Sequence, residues 1–160
     1  MRKEIVGQTP RAESTPHKND WLDLESIANV QLTSEDPAFP IENALSANPE
    51  RNEMGWRAAA PGPQTITLKF DHPQRIRRIH LLFIDHLTER SQEFVLRYSC
   101  LQQTGREIVR QQWNFSPTGP SQEIEDYTVD LDSVTKLELA IDPDRGAGRA
   151  VATLNALRLA

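Results

Sequence analysis

The chain has 160 residues, a formal net charge of -5 and 26% charged residues, and these values exclude several classes of protein. A negative chain lacks the basic excess with which proteins hold a nucleic-acid backbone, so no nucleic-acid partner is expected. The single cysteine, Cys100, excludes an intramolecular disulfide framework. With 38% apolar residues, the composition is typical of one globular domain with its own core.

The first 18 residues differ from the rest of the chain. They contain Pro10 and Pro16 among charged and small polar residues, which predicts a flexible N-terminal tail over residues 1–18. The segment lacks the apolar stretch of a signal peptide, and no window reaches the ~18 apolar residues of a membrane span. A cytoplasmic location without a membrane partner is therefore expected. The apolar pair Ile5-Val6 leaves open a homodimer in which the tail adds a strand to a neighbouring sheet.

Residues 19–160 are predicted to form a single all-β domain. The clearest strand runs from Thr65 to Phe70, because Ile66, Leu68 and Phe70 alternate with polar residues. Asp71-His72-Pro73 is predicted to end it, since proline cannot donate to a strand ladder. Similar alternation predicts strands over 76–84, 94–99, 109–115, 127–131, 137–141 and 150–159.

Helical periodicity is almost absent from the domain. One helical turn is predicted near Ile41 to Ala47, between Pro40 and Pro49. At least six short strands separated by turn residues are typical of an antiparallel sandwich or barrel.

Several short motifs occur in a recognisable order between Trp21 and Leu159. They are Phe39-Pro40-Ile41-Glu42-Asn43-Ala44-Leu45, Gly55-Trp56-Arg57, Gly62-Pro63-Gln64-Thr65-Ile66-Thr67-Leu68, the segment with Arg90, Phe94, Leu96, Tyr98-Ser99 and Gly105, and the finish Ala152-x-Leu154-x-x-Leu157-Arg158-Leu159. Together they resemble the discoidin, or coagulation factor 5/8 type C, family and its carbohydrate-binding-module relatives. The resemblance implies a galactose-binding-like jelly-roll β-sandwich over residues 19–160.

The same resemblance bears on calcium. Many members of the family bind one structural calcium through an acidic residue after the Asn-Ala-Leu turn and a glutamate in the closing strand. The corresponding positions here are Ser46 and Ala156. Because a hard cation requires several charged or carbonyl oxygens, we expect no tight calcium site and no other cofactor.

Catalysis is not expected. The chain has no Gly-x-Ser-x-Gly motif, no phosphate-binding glycine-rich loop and no His-Glu-x-x-His motif. Glu123, Glu125 and Asp126 are interpreted as a solvated acidic face.

Ligand binding by loops at one end of the sandwich is the favoured function. Polar loop side chains could bind the hydroxyls of a sugar or a small anionic ligand. The candidate ligand-binding residues are Arg51, Asn52, His86, Arg90, Asp144, Arg145 and Arg149. Arg90 could equally be structural, because the family often has an arginine there. Trp56 is interpreted as a structural plug at one end of the sandwich, with a ligand platform as the alternative.

The sequence leaves two functions open. The first is a non-catalytic module that binds a glycan or a small polar ligand. The alternative is an intracellular protein–protein interaction domain on the same fold, because intracellular relatives use it to bind protein partners. Fold alone cannot decide between them, since function depends on the site.

Overall fold

The computed structural model describes residues 20–145 and 148–160, so the predicted tail and its Ile5-Val6 pair lie outside the described residues. The boundary at residue 19 stays a prediction. Three short helices and eight strands occur in the described residues: α1 (Leu24–Ile27), β1 (Ala28–Leu32), α2 (Glu42–Leu45), α3 (Pro49–Met54), β2 (Trp56–Pro61), β3 (Gln64–Ile84), β4 (Arg90–Cys100), β5 (Arg106–Phe115), β6 (Gln122–Asp142), β7 (Val151–Leu154) and β8 (Ala156–Leu159). None of these helices is long and apolar enough to cross a membrane.

Two strands of 21 residues each, β3 and β6, organise the fold. The main sheet has the order β1-β3-β6-β4-β5, β8 pairs with β3, and β2 and β7 form a small separate sheet. All pairings are antiparallel. The first half of β3 pairs with the second half of β6, and the second half of β3 pairs with the first half of β6. Side chains from both halves pack in one core, which gives the two layers of a β-sandwich.

The predicted strand end at Asp71-His72-Pro73 is wrong, because β3 continues through it to Ile84. The pairing of β3 with β6 nevertheless loses its register between Lys69 and Gln74, and it shifts twice more before Arg78. A proline without a donor N–H is accommodated where the ladder is irregular. The turn residues therefore mark the break between the two halves of one long strand.

The core follows the alternation predicted from the sequence. Ile66 and Leu68 of β3 and their partners Leu139 and Leu137 of β6 are all buried. The rings of Phe83 and Phe94 stack with their centroids 5.4 Å apart, joining the second half of β3 to β4. Trp56 is 1% exposed and belongs to the same core, as the structural interpretation of this residue requires.

The predicted helical turn is confirmed as α2, but α1 and α3 were not expected. Asn48 caps α3, since its Oδ1 accepts a hydrogen bond of 2.9 Å from the N–H of Glu50. Pro49 occupies the first turn, where its missing N–H costs no helical hydrogen bond. Pro49, which follows the predicted helical turn, therefore begins the next helix.

Candidate functional site

Arg90 joins two loops at one end of the sandwich. It begins β4 and is only 4% exposed. Its Nε donates to Asp85 Oδ2 at 2.8 Å, and its Nη1 donates to the carbonyl oxygen of Pro143 at 2.9 Å. The guanidinium also lies 4.4 Å above the centre of the Phe115 ring. We call the two joined segments, Asp85–Glu89 and Pro143–Arg145, the loop cluster.

Asp85 fixes the shape of the first loop. Its Oδ1 accepts hydrogen bonds from the N–H groups of Leu87 and Thr88, at 2.9 and 3.0 Å, as in an Asx turn. Burial opposes ionisation of Asp85, but the hydrogen bonds from Arg90 and from the two amides prevail and hold its pKa below the usual value. The loop is therefore held in place by an ionised carboxylate at neutral pH.

The second loop is fixed to the start of β4. The N–H of Arg145 donates to the Ser91 carbonyl at 2.8 Å, and the N–H of Ser91 lies 3.4 Å from Asp144 Oδ1. Arg145 Nε lies 3.1 Å from Glu93 Oε2 while about half of its side chain stays exposed. A hydrogen bond from Arg110 is the largest of the effects that keep the pKa of Glu93 below its usual value.

Four predicted ligand-binding residues thus lie at the loop cluster. Arg90 is buried beneath it, and His86, Asp144 and Arg145 belong to its loops. Arg149 is exposed in the segment that follows. The structure brings cationic and hydrogen-bonding side chains together on two anchored loops, and neither loop contains a tryptophan, tyrosine or phenylalanine.

Arg51 and Asn52 lie on α3, outside the two segments of the loop cluster, and Asn155 connects the Asn52 carbonyl oxygen to the N–H of Ile84, the residue before Asp85. Asn52 is 4% exposed, and its Nδ2 donates to the carbonyl oxygens of Asn43 and Ser46 at 2.9 and 3.0 Å. Its Oδ1 accepts a hydrogen bond of 2.6 Å from Arg158 Nη2. The amide of Asn52 therefore joins α2, α3 and β8, which leaves little of it accessible to a ligand.

The same group occupies the region where the resemblance places calcium. Asn52 Nδ2 donates to the carbonyl oxygen of Ser46, an oxygen that a cation would need. The other position, Ala156, is 1% exposed and carries no ligand atom in its side chain. These residues do not fit a calcium ion, because calcium requires several free carboxylate or carbonyl oxygens.

A polar chain continues from the loop cluster into the sandwich, and sequence reasoning missed it. Arg90 Nη1 donates to Gln92 Oε1 at 2.9 Å, and Gln92 Nε2 donates to Glu123 Oε1 at 3.2 Å. Burial, followed by a hydrogen bond with Glu125, raises the pKa of Glu123 to about 8. Tyr127 Oη donates a hydrogen bond to Glu125 Oε2 at 3.1 Å, so Glu125 interacts with Tyr127 as well as with Glu123.

The interpretation of these acidic residues as a solvated face is therefore wrong for Glu123, which is fully buried. Its neighbour Ile124 is exposed instead. Asp126 does lie on the outside, where it is bonded to Arg78 and His80. Glu123 has the same parity as Tyr127, Val129 and Leu131, so extending the alternation of that predicted strand towards its start would have placed Glu123 on the inner face.

No protein-family profile matches the sequence, and no characterised protein sequence matches it either. Solved structures do match the fold. A family 32 carbohydrate-binding module from Clostridium perfringens NanJ, in complex with galactose, has 13% identity and a TM-score of 0.60, covering 87% of this chain and 96% of its own. A pectin-binding carbohydrate-binding module has 17% identity and a TM-score of 0.58, covering 83% and 89%.

A third match is the family 32 module of AlyQ in complex with 4,5-unsaturated mannuronic acid, with 15% identity and a TM-score of 0.54, covering 84% of this chain and 95% of its own. The chain has the family 32 carbohydrate-binding module fold. The galactose-binding-like β-sandwich expected from the sequence is thereby confirmed.

Proposed function

We propose that this protein is a non-catalytic carbohydrate-binding module and that the loop cluster holds its ligand. The observation that carries the proposal is the pair of loops fixed by the buried Arg90, which present His86 and Arg145 at the end of a rigid sandwich. Loops held by a rigid scaffold lose little conformational entropy on binding. Solved proteins of the same fold, in complex with galactose and with an unsaturated mannuronic acid, support a sugar ligand. They do not favour the alternative of a protein-interaction domain.

Arginine side chains at and after the loop cluster favour an acidic glycan as the ligand, although Asp85, Glu89 and Asp144 lie in the same loops. Arg145 in the cluster and the exposed Arg149 each carry a guanidinium group that can form charge-assisted hydrogen bonds with a sugar carboxylate. The loops offer no aromatic ring against which a neutral pyranose could stack. Two modules of this fold, one that binds pectin and one in complex with 4,5-unsaturated mannuronic acid, are consistent with a uronic-acid ligand.

The non-catalytic part of the proposal rests on the position of the ionisable groups. Glycoside hydrolysis requires a protonated carboxyl group that reaches the glycosidic oxygen. Burial raises the pKa of Glu123 to about 8, which would keep it protonated at neutral pH, but Glu123 is fully buried and hydrogen-bonded to Gln92. The exposed Arg145 is paired with Glu93 and serves binding rather than proton transfer.

Titration calorimetry of the full chain with trigalacturonic acid and with galactose tests the proposal. We expect the acidic oligosaccharide to bind, with an affinity that falls as salt concentration rises. Arg145→Ala and Arg149→Ala should each weaken it about tenfold, the loss of one charge-assisted contact. Arg75→Ala is the matched control, because Arg75 is an exposed arginine paired with Asp130 near the strand break, away from the loop cluster.

The outcomes separate the two parts of the proposal. Binding of galactose but not of trigalacturonic acid would overturn the acidic ligand and keep the carbohydrate-binding function. Absence of binding on a broad glycan array at millimolar protein would overturn the function itself. An equal loss of affinity in Arg75→Ala would show that the loop cluster is not the site.

A further inference from the structure

The strand β1 lies at the end of the main sheet and pairs only with β3 in residues 20–145 and 148–160. The N–H of Thr33 donates to the carbonyl of Thr65, so this pair faces inward across the ladder. The backbone N–H and C=O groups of successive residues point to opposite sides of a strand. Those of Asn29 and Gln31 therefore also point towards β3, whereas those of Val30 and Leu32 point away from it. The outward groups of Ala28, Val30 and Leu32 form what we call the free edge.

In the part of the chain that the structure describes, the free edge lacks the charges, prolines and bulges that often prevent strand pairing. β1 reads Ala-Asn-Val-Gln-Leu, with no charged residue, proline or bulge. Val30 and Leu32 are half-buried, and Asn29 and Gln31 are exposed on the opposite face. One outward group is already used, since the N–H of Ala28 donates to the carbonyl of Leu24. The carbonyl of Ala28 and both backbone groups of Val30 and Leu32 remain on the free edge.

The sequence of β1 is complementary to itself when two copies run antiparallel. With a two-fold axis at Val30, Val30 faces the partner's Val30, and Asn29 faces the partner's Gln31. Apolar residues then meet apolar residues on the core side, and amides meet amides on the outer side. The outward N–H of Val30 faces the carbonyl of the partner's Val30, and its carbonyl faces the N–H of the partner's Val30. The N–H of Leu32 faces the carbonyl of the partner's Ala28.

We propose that the free edge of β1 binds the free edge of a second copy of this chain, joining the two main sheets into one. A depression of about 500 Å3 next to the edge provides space on the outer face, where the partner's amide side chains would lie. It is lined by Gln31, Leu32, Thr33, Thr65 and Thr67. The interface is isologous, as a two-fold dimer requires.

The size of the contact sets its strength. One strand of five residues from each copy forms a smaller contact than the ~1,200 Å2 of stable complexes. The dimer therefore dissociates on dilution, with a dissociation constant of about 10–500 μM. A second carbohydrate-binding site brought in by the partner would increase the avidity for a polymeric ligand.

Sedimentation equilibrium of the full chain up to about 1 mM measures the association. The expected result is a shift from 18.2 kDa towards twice that mass. Val30→Pro removes the outward N–H and is tolerated in the monomer, because proline is accepted on an edge strand where its nitrogen faces solvent. It should abolish the dimer without lowering the melting temperature by more than a few degrees. Val30→Ala keeps the N–H and should still dimerise.

A pair of charge variants tests the two-fold register even if Val30→Pro does not fold. Asn29→Lys with Gln31→Lys should be monomeric, and so should Asn29→Glu with Gln31→Glu, because like charges face each other across the axis. An equal mixture of the two variants should form a heterodimer, since each lysine then faces a glutamate.

Three results would overturn the proposal. The first is a wild-type chain that stays at 18.2 kDa up to 1 mM. The second is a mixture of the two charge variants that remains monomeric. The third is a dimer that Ile5→Lys with Val6→Lys dissolves, because it assigns the interface to the amino-terminal segment.

Discussion

Replacing Glu123 with glutamine should make the protein less sensitive to alkaline pH. Glu123 is fully buried, and burial followed by the hydrogen bond with Glu125 raises its pKa to about 8. Gln92 Nε2 donates a hydrogen bond to Glu123 Oε1, and the side-chain carbonyl oxygen of a glutamine at position 123 can accept the same bond. The variant therefore keeps the hydrogen bond from Gln92 and loses the titration of the acid.

The sign and size of the effect follow from the two pKa values. A carboxyl group whose pKa is raised in the folded protein stabilises it fully only below the unfolded value of 4.5, and this contribution is lost as pH rises towards 8. Each pH unit in that window lowers the free energy of unfolding by about 1.4 kcal/mol. The total lost by pH 8 is about 4 kcal/mol. For a domain of this length, this corresponds to about 10 °C in melting temperature.

Thermal melting of the wild type and of Glu123→Gln at pH 5, 7 and 9 measures the difference. The two proteins should melt within a few degrees of each other at pH 5, and the variant should be the more stable at pH 9. Glu89→Gln, which changes an exposed carboxylate, is the matched control and should show no such divergence. The reasoning is refuted if the gap between the wild type and Glu123→Gln is the same at every pH.

Three further predictions concern the loops, a glycine and calcium. Arg90→Met should lower the free energy of unfolding in urea by about 3–5 kcal/mol, because it removes a buried guanidinium with its hydrogen bonds to Gln92 and Pro143 and leaves the partly buried Asp85 carboxylate without its ion pair; a loss below 1 kcal/mol would contradict this. Gly55→Ala should destabilise more than Gly105→Ala. Both have φ near +65°, but a Cβ on Gly55 would lie 2.8 Å from the Leu154 carbonyl oxygen, whereas Gly105 faces open space. Equal losses would mean that the backbone moves away without cost. About 1 mM calcium, compared with chelator, should leave the melting temperature unchanged, because Asn52 already occupies the carbonyl oxygens; a rise would refute the absence of a calcium site.

The strands that carry the core were predictable from the sequence because their alternation is local. In Thr65 to Phe70, the apolar side chains of Ile66, Leu68 and Phe70 share one face wherever the strand lies in the fold, and all three are buried. The helix α3 was not predicted, although its cap and first residue, Asn48-Pro49, are a local signal for a helix start.

Part of the loop cluster was also predictable. Polar and charged residues around His86 and Arg145 follow predicted strands, so their position in loops is a local property. The partners of Arg90 are not local, because Pro143 lies 53 residues further along the chain. The buried role of Arg90 therefore became clear only when the loops were seen together.

The full burial of Glu123 was decided only by the tertiary structure. Glu123 has the same parity as Tyr127, Val129 and Leu131, so local alternation places it on their face, but alternation does not say how completely that face is covered at the start of the strand. Gln92 of β4, which lies 31 residues earlier, supplies the hydrogen bond that makes a buried carboxyl group tolerable. Local alternation determined the period of each strand. The packing of one sheet against the other determined which face became the interior, because burial of a polar group depends on partners that only the folded chain brings near.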